Sequence, residues 1–458
     1  MDAAAGEDNR GGKAPVTIVV LDLLNSSFSD FAFIRYSVKQ FLDRQPAQLA
    51  APAELLVIGN QSLEMLQSYT RNKTDLLNAL NRLPAALPIK EMNGMFFWDR
   101  FMQSIDALQQ IALQNKGVPG RKNIVWVGHG GPGINLYGPD FTATEVEELR
   151  QYVHSTTNML VDSRISLFVI YPGLKMRGRD MSISGMDADI DIGDDDPFSG
   201  DINFGVFANA TGGKLFYNRN DVDMLIAHSQ LLGSKYYTLT YQPQDQDDVA
   251  NGKFRRIRVT LRDRNLRAVT KAGYSAPDRN ERENPRQQAM NNLSEAAQAV
   301  IPFTALGVQV SGVVRHPDTD TAEFTVHLKA KNLHWMKTDD GKDTANLILA
   351  AVSLNGDKDI LASKIVRVAI SPVVQDPVRD AAPQEEADAS LPVTVRIPRK
   401  TRSVRIVMET ETGGRLGTAD VDRKTIDAAP EAPTPEPTLT VPFRRDTHRP
   451  PYVRPSTP

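Results

Sequence analysis

Cysteine is absent from all 458 residues, which excludes disulfide bridges, thiolate metal sites and a cysteine nucleophile. A thiol-free chain suits an oxidising compartment, where a stray thiol is a liability. Long apolar runs are lacking too: no stretch approaches the roughly 18 residues that a membrane-spanning helix needs. An excess of positive charge is missing. The formal net charge is −3, which excludes a basic face that holds nucleic acid by charge alone. Neither a phosphate-cradling glycine loop nor a dinucleotide fingerprint occurs, and the seven histidines form no paired-ligand pattern. Residues 1–13 carry no apolar core of the kind a signal peptide requires, so the protein is either cytoplasmic or its leader lies outside this sequence.

What is present reads as two architectures in succession. Hydrophobic residues make up 41% and charged residues 24%, enough for more than one packed core. Thr17 to Leu21 (TIVVL), Glu54 to Ile58 (ELLVI), Ile124 to Val127 (IVWV) and Ile165 to Tyr171 (ISLFVIY) are apolar on both faces, as strands buried in a parallel sheet are. Between them, Phe31, Ile34, Val38, Phe41 and Leu42 recur at helical spacing, as do Phe97, Phe101, Ile105, Leu108 and Ile111. A further helix is expected from about Ala143 to Met159, opened by a capping box of Thr144 with Glu147. Lys214 to Tyr217 and Asp221 to Leu232 supply a last strand and helix. The alternation predicts a doubly wound parallel α/β sheet of Rossmann-like type over residues 14–235.

From Tyr236 the period changes to two. YYTLTYQP, FRRIRVTLRD and LRAVTKAGY predict three strands that extend the first unit through residue 275. Residues 276–302 are polar and helix-prone, which suits a linker or surface helix. Short alternating runs over 303–425, such as AEFTVHLKAKNL, ANLILAAVSLN and SVRIVMET, predict an all-β, immunoglobulin-like sandwich. Gln375 to Ser390 should be a loop within it. Residues 426–458 are Pro-rich and cannot bury a core. No internal repeat is present.

The order TIVVLD, LLNSSFSD, NGMFFWDR, GRKNIVWV, NATGGKLFYN, SKYYTLTYQP, GKFRRIRVTL and KAGY, over residues 14–275, resembles the von Willebrand factor A-related family of acidobacterial secreted proteins. The resemblance implies a secreted or envelope-associated binding protein with its ligand site beyond the carboxyl ends of the strands, where strand order reverses. In many such domains an Asp-x-Ser-x-Ser loop, a threonine and a second aspartate hold a divalent ion there. Here the loop reads Asp22-Leu23-Leu24-Asn25-Ser26, so Asp22 and Ser26 remain while Leu24 replaces a serine. Met95 falls at the threonine position and His129 at the final aspartate. Two residual ligands hold Mg²⁺ weakly, because the ion gives up its water reluctantly. The expectation is therefore a degraded metal site with no cofactor, and a protein partner docking on Asp22, Asn25, Ser26, Met95, Phe96 and His129. The alternative is a metal-dependent adhesion domain with weak Mg²⁺ or Ca²⁺ binding, in which Asn25 replaces a lost oxygen. Asp22 also has a purely structural reading, as acceptor for the backbone of the next loop or as a helix cap.

Three other features of the sequence carry weaker signals. His129-Gly130-Gly131-Pro132-Gly133 matches a string at the oxyanion loop of some α/β-hydrolase peptidases. Such an enzyme needs a G-x-S-x-G elbow, and none occurs, so a hydrolase is the least favoured class. Asp187, Asp189, Asp191, Asp194, Asp195 and Asp196 crowd one loop, but Phe198 stands where a calcium-binding loop would place its glutamate, so a solvated acidic loop is expected. His327 and His334 sit at odd spacing on one run and should face opposite sides of it.

Overall fold

The computed structural model describes residues 15–59, 63–83, 95–131, 133–136, 141–173, 202–239, 254–263, 268–275, 285–329, 335–338, 343–370 and 388–432, with single residues at 197, 198, 200, 265, 266 and 333. Its first half forms, in chain order, β1 (Val16–Asp22), α1 (Phe28–Asp43), β2 (Gln48–Ile58), β3 (Leu63–Asn72), α2 (Lys73–Arg82), α3 (Met95–Gln114), β4 (Lys122–Val127), α4 (Ala143–Asp162), β5 (Ile165–Pro172), α5 (Phe204–Ala210), β6 (Lys214–Arg219) and α6 (Val222–Ser234). The strands make one sheet in the order β3-β2-β1-β4-β5-β6. Strand β1 is buried along its length after Val16, because its alternate residues feed two cores. Ile18 and Val20 pack with Phe101, Ile105 and Leu108 of α3, whereas Val19 and Leu21 pack with Phe31, Ile34 and Val38 of α1.

The sheet is mixed, which corrects the expectation of a wholly parallel one. Strand β3 lies antiparallel to β2 at the edge, while the other neighbours run parallel. Its sequence, LEMLQSYTRN, is largely polar and half-exposed, so it lacks the continuous apolar run that marks a buried strand. The capping box of α4 is Thr142 with Glu145, two residues before the expected pair. The sequence Thr142-Ala143-Thr144-Glu145 offers two hydroxyls, and the earlier one stands three residues from its glutamate. Strand order reverses between β1 and β4, and both carboxyl ends open onto the same edge.

Of the three strands expected over 236–275, the described residues form β7 (Phe254–Arg256) and β8 (Gly273–Ser275), a short ladder outside the main sheet; residues 240–253 lie outside the described residues. Asn158 of α4 clamps β8, its Nδ2 donating to Ser275 O at 2.9 Å and its Oδ1 accepting from Ser275 N at 3.2 Å.

The second half comprises α7 (Pro285–Gln298), β9 (Val308–His316), β10 (Thr321–Lys329), β11 (Met336–Lys337), β12 (Asp343–Leu354), β13 (Ile360–Ile370), β14 (Asp388–Arg396), β15 (Ser403–Thr410), β16 (Leu416–Asp422) and α8 (Arg423–Asp427). These strands form an all-β sandwich: β14-β10-β9 faces a sheet in which β12 pairs with β13 and β15, and β15 with β16. Phe324, Val326, Leu347, Leu349, Ile406 and Met408 fill its core. His327 on β10 bridges Ser311 and Ser390 of the flanking strands; His334 lies outside the described residues. The acidic loop 187–196, most of the 375–390 loop and residues 433–458 also lie outside them.

Helix α7, expected as a linker or surface helix, exposes Arg286, Gln287, Gln288, Asn291, Ser294, Glu295 and Gln298 and buries one stripe. Leu293, Ala296 and Ala297 pack in the same core as α3 and α4, together with Val352 and Val407 of the sandwich. Small side chains at 296 and 297 let the helix sit close to both units. Arg405, 1% exposed, donates to the carbonyls of Ala296, Ala297 and Ala299 at the end of the helix, and pairs with Asp420 at 2.6 and 2.7 Å. A cation there meets the negative end of the helix dipole. Arg415 Nε donates to Gly117 O at 2.9 Å, and a Cβ on Gly117 would stand 2.3 Å from Gly413 O. Among the described residues no helix is long and apolar enough to cross a membrane.

Far from the reversal point, Glu54 of β2 lies fully buried. Its Oε1 accepts from Gln114 Nε2 at 3.1 Å, and Tyr69 of β3 donates to Asn115 Oδ1 at 2.8 Å. Burial raises the Glu54 carboxyl to about 8, overriding hydrogen bonds from Gln114 and Tyr69 that lower it. An acid whose folded pKa is raised binds its proton more tightly when folded. Its contribution is complete below its ordinary value of 4.5 and is lost as pH rises through about 8. Glutamine mimics the protonated acid. Glu54→Gln should therefore leave the melting temperature at pH 5 nearly unchanged and flatten its decline between pH 6 and 9, as read by calorimetry across that range. An unaltered decline would place the lost proton on another group.

Candidate functional site

Strand β1 ends on Asp22 and β4 ends just before His129, so the reversal of strand order brings these two positions side by side. Asp22 is wholly buried. Its Oδ1 accepts from Asn25 N at 2.9 Å and Asn25 Nδ2 at 3.2 Å. Its Oδ2 accepts from Gly130 N at 2.7 Å, Trp126 Nε1 at 3.0 Å and Asn25 Nδ2 at 3.2 Å. One carboxylate thus ties the loop after β1 to the loop after β4. Gly128 lets the two approach: with φ of 143°, a Cβ there would stand 2.3 Å from Asp22 Cβ. Gly130, with φ of 71°, turns its N–H onto Asp22, where an oxyanion-type loop would aim it outward.

The cap of α1 belongs to Ser27 and not to Asp22. Ser27 and Asp30 make a reciprocal box, with Ser27 Oγ donating to Asp30 Oδ2 at 2.6 Å. Asp30 is buried, and its Oδ2 lies 3.9 Å from His129 Nε2. The His129 ring packs against Tyr171 at a tilt of 39°, with centroids 3.9 Å apart. Burial pushes the His129 imidazole below its ordinary pKa, while the charges of Asp22 and Asp30 pull the other way. From α3, Ser104 Oγ accepts from Asn25 Nδ2 at 3.1 Å and fixes the amide from behind.

Of the six residues singled out from the sequence, Asp22, Asn25, Ser26 and His129 meet at this edge. The side chains of Met95 and Phe96 lie outside the described residues, although Met95 begins α3. Asp30, at the end of the expected contact loop Asp22 to Asp30, joins those at the edge, and Trp126, Ser104 and Tyr171, which were not anticipated, complete the surroundings. Asp30 was within reach of sequence reading, through the Ser27-Ser29-Asp30 run that suits a helix start. Trp126 was not, because its indole N–H points to Asp22 only once β1 and β4 pair.

The fit to a hard divalent ion is poor. Mg²⁺ or Ca²⁺ wants carboxylate oxygen with free lone pairs. Both Asp22 oxygens are committed to donors from four groups, and Leu24 and His129 stand at two of the remaining ligand positions.

No family model and no curated relative matches the chain. Among solved structures, the crystal structure of the SpRpn10 VWA domain is similar at 18% identity and a TM-score of 0.22, over 35% of this chain and 77% of that one. A β-glucuronidase of glycoside hydrolase family 2 is similar at 15% identity and a TM-score of 0.16, over 25% of this chain and 10% of that one. A family 2 glycosyl hydrolase from Bacteroides cellulosilyticus matches at 14% identity and a TM-score of 0.16, over 26% of this chain and 13% of that one. This chain thus spans only a small part of the length of those two enzymes. No activity transfers from likenesses of this depth.

Removing the Asp22 carboxylate strands the Trp126 and Gly130 N–H groups in a buried site. Asp22→Ala should cost about 3 kcal/mol by urea unfolding, because each stranded donor costs about 1–3 kcal/mol. Asp22→Asn, which keeps one acceptor oxygen, should cost less. Equal losses for the two would mean that the charge, and not the acceptor geometry, holds the loops.

Proposed function

We propose that this protein is a non-catalytic binding module that docks a protein partner on the edge formed by the loops after β1 and β4. The α/β unit is of the von Willebrand factor A type, related to the acidobacterial secreted family, and its metal site is degraded. The observation that carries the reading is the commitment of Asp22. The carboxylate that would face an ion is spent on holding two loops in register, which makes the edge a preformed surface of fixed shape. The sequence order of strand and loop motifs supports the family. The sandwich, fixed to α3 through α7, presents this edge at a set orientation. A thiol-free composition supports a secreted or envelope location. A non-catalytic role is supported by the loop of Gly130, whose N–H is turned onto Asp22, and by a sequence with no nucleophile elbow.

The test is thermal unfolding of the full chain in chelator and then in millimolar Mg²⁺, Ca²⁺ or Mn²⁺, because a ligand that binds only the folded state must raise the melting temperature. Unchanged melting with every ion is the expected outcome. An ion-specific rise that vanishes in Ser26→Ala would establish the metal-dependent adhesion domain instead. In parallel, a photo-crosslinking residue at Asn25 should trap a partner, in chelator, that the same residue at Arg315 on the sandwich does not. Equal trapping at both positions would remove this edge from the interface.

A further inference from the structure

Three buried polar atoms in the two loops have no hydrogen-bond partner among the described residues: Asn25 Oδ1, Ser26 Oγ and His129 Nε2. Ser26 is 5% exposed and the His129 side chain 10%. They lie in one small region. Asn25 and Ser26 follow β1, His129 follows the neighbouring strand, and Asp22 is bonded to Asn25 and to Gly130 beside His129. His129 Nε2 also stands 3.9 Å from the Asp30 carboxylate, at the start of α1. Leaving a buried polar atom unpaired costs about 1–3 kcal/mol, so three in one pair of loops leave acceptor capacity for a ligand to fill.

The chemistry of the missing partner follows from what the site already holds. Asp22 and Asp30 are both buried, and among the described residues neither pairs with a lysine or arginine. Burial lowers the His129 pKa and so works against a positive charge there that would cancel theirs. The unpartnered atoms are an amide oxygen, a hydroxyl and, in the tautomer protonated on Nδ1, an imidazole lone pair. All three accept. A ligand with donors only and one positive charge matches them. A divalent ion does not, because the carboxylate oxygens it would need are engaged. A guanidinium is planar and best met by a free bidentate carboxylate, whereas an ammonium is compact, with three donors and no acceptor.

Resting on the protein-binding reading, we infer that the edge between β1 and β4 receives a lysine side chain of the partner, its ammonium donating to Asn25 Oδ1, Ser26 Oγ and His129 Nε2. The polarity is the reverse of a metal-dependent site, where the ion belongs to the domain and the carboxylate to the partner. Here the negative charge belongs to the domain, and the partner brings the cation.

The experiment uses the full chain with isotope-labelled histidine, in chelator, with the His129 signal assigned by His129→Gln. The probe is Nα-acetyl-lysine methylamide, with the norleucine and glutamate analogues as controls. The lysine probe should shift the His129 signal saturably, and norleucine should not. Ser26→Ala removes a buried hydroxyl that bonds to nothing, so it should not lower the melting temperature and should weaken the lysine probe about tenfold, which corresponds to about 1.4 kcal/mol. An absent response to lysine, or an equal one to norleucine, overturns the inference. A response to glutamate alone overturns it as well, yet leaves protein docking at this edge intact, since crosslinking from Asn25 reads that separately. A His129 shift produced by Mg²⁺ outside chelator would overturn both.

Discussion

The Asp22 carboxylate is the constraint on which the rest of this edge depends. Parallel strands deliver their carboxyl ends side by side, but nothing in strand pairing dictates where the following loops go. Here a single buried anion sets them. It draws in the N–H of Asn25, the N–H of Gly130 and the indole of Trp126, and each of these then fixes something further. Asn25 reaches Ser104 and so binds the loop to α3. Gly130 places His129 against Tyr171 and toward Asp30. A buried carboxylate is costly unless its lone pairs are filled. Filling them from both loops converts that cost into a shape.

Much of the α/β unit was legible because its strands are apolar on both faces. TIVVL, ELLVI, IVWV and ISLFVIY could be little else, and the order of helices between them limits the topology to few choices. Strand β3 was not legible. A half-exposed edge strand reads like polar loop, and only its pairing with β2 defines it. The site was half legible. Asp22 and Ser26 were picked out by the loop after β1, and His129 by its place after β4. Trp126 and Ser104 could not be found, since their roles exist only across 104 and 79 residues of intervening chain.

Helix α7 illustrates the opposite failure. Its polar composition suits solvent, but composition is an average, and Leu293, Ala296 and Ala297 lie on one stripe. Most of the polar positions face water, but Asn292 and the helix end face the sandwich. Asn292 Nδ2 donates at 2.8 Å to Glu409, whose carboxyl burial raises to about 7, and Arg405 gathers the carbonyls at the helix end. A largely polar helix can thus be clamped between two units when the unit facing it supplies matched polar partners. Few sequence patterns announce that, because the matching residues lie more than a hundred positions away.

Helix α3 touches both ends of this arrangement. Ser104 braces the Asn25 amide, and the turn after the helix meets Arg415 and Gly413 of the sandwich through Gly117. With 20 residues the helix is about 30 Å long, a stiff rod on the scale of the whole unit. No side chain fits between Gly117 and Gly413, so the backbones bear directly on each other there. The sandwich, through Gly117 just past the helix end, and the loop that carries Asn25, through Ser104 at its middle, thus lean on one shared rod.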